Sequence, residues 1–281
     1  MTITVLGLLF GLAPFVHADE SLQFSLSPEI AQAIQPALKN PVLKTWAIAE
    51  LKGMKQVTRS EKDPQDGKMV AWKGVLFSSL IDEVLKSLPA EVKAQIDLVV
   101  FRGKGGTQAL VPRAFTVKYP VLMALGASGK EGGFNDLGPV YSVIPWTTVG
   151  KIKSEEAPVQ SFFIPGVSEI QFSNYRKVFG KFFLAKRTDP AAMRGEKLFV
   201  QNCISCHGAA QMAGQAVKLA GSDKKIPPLD LIYDPARMDR LVKQGHPAAP
   251  GVVTLKEKES KALVSYMDAH RTGGLAPGVP Q

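Results

Sequence analysis

The chain has 281 residues, 45% hydrophobic and 21% charged, with Gly 25 and Pro 20, a composition that excludes a disordered or fibrous chain and leaves room for two globular domains. Its formal net charge of +9 favours acidic proteins or anionic lipid as partners. No basic-aromatic stripe or recognition motif accompanies that charge, so nucleic acid is not expected.

The chain opens "MTITVLGLLFGLAPFVHADE". The apolar run over 3–16 ends in Val16-His17-Ala18, the small-x-small pattern of a secretory cleavage site. Only the amino terminus supplies positive charge ahead of it. The run is shorter than the roughly 18 apolar residues of a membrane span. The expectation is a signal peptide over 1–18, cut after Ala18, and an exported, periplasmic protein without a stable span. Residues 20–48 read as helical, with Ser27 as cap and Pro28 in the first turn. Over 54–75, two strand-like runs flank the turn Asp63-Pro64-Gln65-Asp66-Gly67. A helical stripe follows at Leu76, Leu80, Ile81, Val84, Leu85 and Leu88. "IDLVVFRGKGGTQALVPRAF" reads as two strands around the glycine-rich turn Gly103-Lys104-Gly105-Gly106. No helix follows that turn directly, so it is not a dinucleotide fingerprint. Arg102, Lys104 and Arg113 either hold an anion or form a solvated basic face. "YPVLMAL", "VYSVIPW" and "QSFFIPGVSEIQF" are further strands. Residues 19–187 thus predict an α+β domain.

Beyond about residue 186 the chain turns polar and helical, with Asp189 as cap and Pro190 in the first turn. No convincing strand follows, and residues 188–281 predict an all-α domain. Near its start stands "NCISCHG", which holds the only two cysteines of the chain. A disulfide across two intervening residues closes a tiny loop and adds little chain-entropy stabilisation. A zinc site needs two more ligands at sensible spacing, and no second pair exists. A thioredoxin-like pair belongs after a strand, not in a helical region. Cys203-Ile204-Ser205-Cys206-His207 has the spacing of c-type haem attachment. On a helical turn, residues three apart share a side. Cys203 and Cys206 can then each bond one vinyl group of a single haem c, and His207 can reach the iron. Zinc and dithiol chemistry remain the alternatives.

The surrounding residues resemble the class I cytochrome c family over about 190–272. "GEKLFVQNCISCHG" is similar to that family's first helix, and "ALVSYM", 262–267, to its last. The resemblance implies that Gly195 lets the last helix approach closely and that Tyr266 packs near Phe199 in the core. "IPPLDL", 226–231, resembles the segment whose proline carbonyl accepts the proximal histidine's hydrogen bond, here Pro227 or Pro228. Such a bond fixes the ring's orientation. The family usually places its second iron ligand, a methionine, before the last helix. Here His246-Pro247 stands in that place. His246 is the expected distal ligand. Met212, Met238, Met267 or an open sixth position are the alternatives, while His270 is expected to be solvated at the end of the last helix.

The first domain has a looser likeness. "WKGVLFSSLIDEVL", 72–85, and the strands after it resemble the sulfite-oxidase-type molybdopterin-binding domain, over about 50–175. That family holds molybdenum through a cysteine upstream of this stretch. Here the upstream residues are "MKQVTRSEKDPQDGK", without a cysteine. Molybdopterin is therefore not expected, and the domain reads as a scaffold reused for docking or positioning. The whole predicts an exported monohaem cytochrome that carries single electrons, rather than a catalyst. Its partner is a redox protein, acidic if Lys218, Lys224, Lys225 and Lys243 fringe the haem. The alternatives are an electron-accepting subunit or enzyme of a molybdopterin-type oxidoreductase, and a haem-based sensor with a labile sixth ligand.

Overall fold

A computed structural model describes residues 21–34, 41–64, 66–103, 108–129, 138–154, 162–186, 188–204, 207, 217–218, 225–226, 240, 243–244 and 255–271. The expected signal peptide lies outside them.

Leu22, Phe24 and Leu26 alternate along the chain, and all three are fully buried. A period of two is a strand's, not a helix's. Residues Ser21–Leu26 accordingly form β1, paired antiparallel to β2 (Val42–Ala47) and parallel to β9 (Glu169–Ser173). This corrects the helical expectation for 20–48, of which, among the described residues, only α1 (Pro28–Ile34) is helical ahead of α2 (Ile48–Gly53). Pro28 does open α1, but the Ser27 carbonyl, not its hydroxyl, receives the N–H groups of Ile30 and Ala31.

The hairpin around Asp63–Gly67 is β3 (Val57–Lys62) with β4 (Met69–Leu76). Strand β7 (Leu122–Ser128) and then β8 (Tyr141–Val143) extend it to four strands in the order β3-β4-β7-β8. Gly74 sits at a bulge against β7. A Cβ there would lie 2.0 Å from the Met123 carbonyl oxygen, so only glycine allows the strands to approach so closely. Helix α3 (Phe77–Leu85) buries Phe77, Leu80, Ile81, Val84 and Leu85; of the stripe read from the sequence, Leu76 ends β4 and Leu88 lies past the helix. At the end of β3 the Glu61 carboxylate is 1% exposed, and burial at that level requires saturation with donors. It accepts from the N–H of Lys62 at 2.8 Å and from both the N–H and the hydroxyl of Thr147 and Thr148. That clamp ties the loop after β8 to the edge of the sheet.

Helix α4 (Ala90–Gln95) leads into β5 (Leu98–Arg102), which pairs with β6 (Gln108–Pro112) and β9. The second sheet has the order β2-β1-β9-β5-β6. Strand β5 is apolar at successive positions because both of its faces are covered. Val99 and Phe101 join the main core between the two sheets. Leu98 and Val100, with Leu110 of β6, join a second cluster on the sheet's other face. Short helices α5 (Arg113–Lys118) and α6 (Tyr175–Phe179) follow β6 and β9. The second cluster is completed by Phe179, Phe182 and Leu184 and by helices α7 (Pro190–Asn202) and α8 (Glu257–Arg271). Between those helices, β10 (Val217–Lys218) and β11 (Lys225–Ile226) form a two-residue antiparallel pair that the sequence reading did not anticipate. The N-terminal region is thus α+β, and the C-terminal region is built on helices.

Candidate functional site

Helix α7 begins as its residues dictate. The Asp189 side chain accepts the Ala191 N–H at 2.8 Å, and Pro190 occupies a position where a missing N–H costs nothing. The helix buries Ala192, Gly195, Leu198 and Phe199 along one stripe. Facing it, α8 buries Ala262, Leu263, Tyr266 and Met267. The helices cross at Gly195. A Cβ on that residue would lie 2.0 Å from the Ala262 carbonyl oxygen and 2.7 Å from the Tyr266 Cβ.

One turn further along, the Phe199 and Tyr266 rings pack with centroids 5.3 Å apart. Phe182 closes on Phe199 from the N-terminal region at 5.8 Å. The Tyr266 hydroxyl donates to the Phe182 carbonyl oxygen at 2.5 Å. Burial, with Glu196 and Cys203 nearby, pushes this phenol well above its ordinary range and holds it as a donor. Glu196 is itself buried and accepts the Leu184 N–H at 2.6 Å. Neither Phe182 nor Glu196 is legible as a site residue from the sequence, since the hydroxyl–carbonyl bond joins residues 84 apart.

Helix α7 ends at Cys203, whose N–H bonds the Phe199 carbonyl at 2.8 Å. The turn continues, because the His207 N–H bonds the Cys203 carbonyl at 2.9 Å. Cys203 and His207 therefore stand four residues apart on one helical turn. Cys203 is partly buried against the second cluster, Ile204 is 1% exposed, and His207 is half-buried. A thiol and an imidazole four residues apart on such a turn suit a haem bonded through the sulfur and ligated through the ring.

Cys206, Pro227, Pro228, His246, Met212, Met238 and Lys224 lie outside the described residues. Met267 is a core residue, 4% exposed. His270 stands in the last turn of α8. Lys218 and Lys225 lie on β10 and β11, and Lys243 is exposed on a helical segment. The N-terminal cations have structural tasks. Arg102 donates to Gln108 and Gln171 and lies 3.6 Å from Glu169. Arg113 donates to the carbonyls of Lys93, at 2.6 Å, and Ile96. Arg102 thus joins strand ends, and Arg113 ties the start of α5 to the end of α4; Lys104 lies outside the described residues.

Residues 190–267 match the family model described as cytochrome c oxidase, cbb3-type, subunit III. The C-terminal region is a c-type cytochrome domain. Such a domain implies haem c binding and a redox partner. No curated protein matches the chain. Among solved structures, the chain is similar to the sulfane dehydrogenase SoxCD from Paracoccus pantotrophus, with 13% identity, a TM-score of 0.38, and coverage of 59% of this chain and 43% of that one. The match thus spans less than half of that protein's chain. No helix among the described residues is long and apolar enough to cross a membrane.

Proposed function

We propose that this protein is an exported, periplasmic monohaem cytochrome that passes single electrons between redox partners. Residues 188–281 form the haem half, and residues 19–187 dock or position it. The observation that carries this reading is the helical turn from Cys203 to His207, set at the end of α7 beside the Phe199–Tyr266 pair. Haem c supplies a one-electron iron couple. Cys203 and Cys206 hold the group through thioethers, and His207 is the proximal ligand. Pro227 or Pro228 orients that imidazole through a carbonyl, and His246 is the distal ligand. Phe199 and Tyr266 exclude water behind the group. The net charge of +9 favours an acidic partner.

Expression in a periplasm with haem-maturation machinery tests this. The protein should be red and keep its haem through acid-acetone extraction. Cys203→Ala with Cys206→Ala should lose covalent haem. Covalent haem retained in that double variant would overturn the assignment. Metal analysis of the native protein discriminates further: iron alone fits the carrier, and molybdenum with iron fits an enzyme.

A further inference from the structure

Glu196 lies on the same face of α7 as the attachment cysteine. Residues 196, 199 and 203 follow at intervals of three and four, so Phe199 stands between Glu196 and Cys203 along one stripe. Glu196 is 4% exposed, and its carboxylate accepts the Leu184 N–H at 2.6 Å. Glutamine would offer that N–H an oxygen without the cost of taking a charge out of water. The bond to Leu184 therefore does not account for a carboxylate here. The charge does reach the interior of the helix pair. After burial itself, Glu196 and then Cys203 are what raise the Tyr266 hydroxyl, whose ring packs on Phe199. Of the cations beside Glu196 on α7, Lys197 is exposed to screening water, and Arg194 lies 3.8 Å from Glu259.

We propose that Glu196 tunes the haem: its buried negative charge favours ferric over ferrous iron and so lowers the midpoint potential. This rests on the reading of Cys203 to His207 as the haem-attachment turn. Glu196 acts through space and touches no ligand of the iron. Seven residues of helix separate it from Cys203, about 10 Å along the axis. At an effective dielectric of about 20, a unit charge acting over that range shifts a one-electron equilibrium by about tenfold. Tenfold corresponds to about 59 mV for one electron. Salt screens a buried charge much less than an exposed one, so the effect outlasts that of the surface lysines as salt rises.

Redox titration of the haem band in the full chain at neutral pH tests this, on two variants that separate charge from bond. Glu196→Gln keeps an acceptor for the Leu184 N–H and removes the charge. Its midpoint should rise by about 59 mV, the tenfold shift, and the rise should persist in high salt. Glu196→Asp keeps the charge but shortens the side chain by one methylene, which loosens the bond. Its midpoint should stay close to the parent's. Far-UV circular dichroism checks that each variant is folded, and the uncharged Glu196→Met serves if Glu196→Gln is not. An unmoved or lowered midpoint in a folded, haem-bearing uncharged variant would overturn the proposal. An equal rise in Glu196→Asp would overturn it too, by assigning the effect to the bond, as would a rise that vanishes in high salt. Acid-acetone extraction reads haem attachment separately. A parent without covalent haem would overturn the proposed function and the tuning with it, whereas covalent haem with an unmoved midpoint overturns the tuning alone.

Discussion

Gly195 sets the distance between the two helices that frame the candidate haem site. Its missing side chain is replaced by the Ala262 carbonyl and the Tyr266 Cβ of the facing helix. Gly195→Ala should therefore push α8 outward even though alanine is the better helix former. Overpacking of this kind costs about 1–3 kcal/mol, against at most about 1 kcal/mol regained in propensity. A denaturation midpoint lowered in Gly195→Ala, with the haem band broadened, is the expected result; a raised midpoint would show that the helices are not in close contact. His246 belongs to the same scale. Without the near-infrared band of methionine ligation, and with a ferric spectrum that stays low-spin, histidine is the distal ligand. His246→Ala should then open the iron to added imidazole. An unchanged spectrum in that variant would remove His246 from the site. At this scale the sequence is most legible where chemistry is local. The turn Cys203–His207 and the cap from Asp189 to Ala191 each join residues at most four apart. The Phe182 carbonyl that receives the Tyr266 hydroxyl had no local signal, because only the tertiary fold brings it there.

The same contrast holds for the elements. Hairpin β3–β4 and helix α3 were readable because their pattern and partners are close in sequence. Strand β1 was misread, since its register is set by β9, from which it is separated by more than a hundred residues. Its six residues also abut a proline-capped helix, so the two periods blur in one window. Where β9 passes into α6, Asp97 shows how the elements are fastened. Its carboxylate accepts the Tyr175 N–H at 2.8 Å, and its carbonyl accepts the Arg113 N–H at 2.8 Å. Burial raises the Asp97 pKa above the ordinary value, an effect only partly opposed by the bonds from Tyr175 and its own N–H. Between the unfolded and the raised folded values, the native state holds more protons than the unfolded chain. Stability from this group is thus full below the ordinary aspartate range and is lost as pH rises through the folded value. Asp97→Asn keeps an acceptor oxygen but does not titrate. Urea midpoints measured from acid to neutral pH should fall less steeply in Asp97→Asn than in the parent. Parallel curves would show that Asp97 is not shifted.

For the whole molecule, the second cluster matters most. Leu98, Val100 and Leu110 come from a sheet, and Leu198, Phe199, Leu263 and Tyr266 come from the helices, yet they share one apolar core. Composition located a change near residue 186 but carried no sign of this shared surface. The continuous apolar run of β5 was the available clue, because an alternating strand would have had one wet face. Leu98→Ala should cost about 2–5 kcal/mol, as buried leucines do. The loss should appear in both regions at once. Melting followed at the haem band and by far-UV circular dichroism should give one coincident transition, lowered together in the variant. A haem-band transition left in place while the sheet melts earlier would separate the two cores.

Strand β5 also bears on how the protein is made. Its sheet is complete once β9 has emerged, but the face carrying Leu98 and Val100 waits for α7 and α8, which are synthesised after it. Until then a newly made chain presents a bare apolar surface, the kind of species that aggregates or is degraded. The helices that cover it frame the haem-attachment turn. Slow delivery of haem would thus shorten the life of the sheet region as well, and its yield would follow the supply of haem.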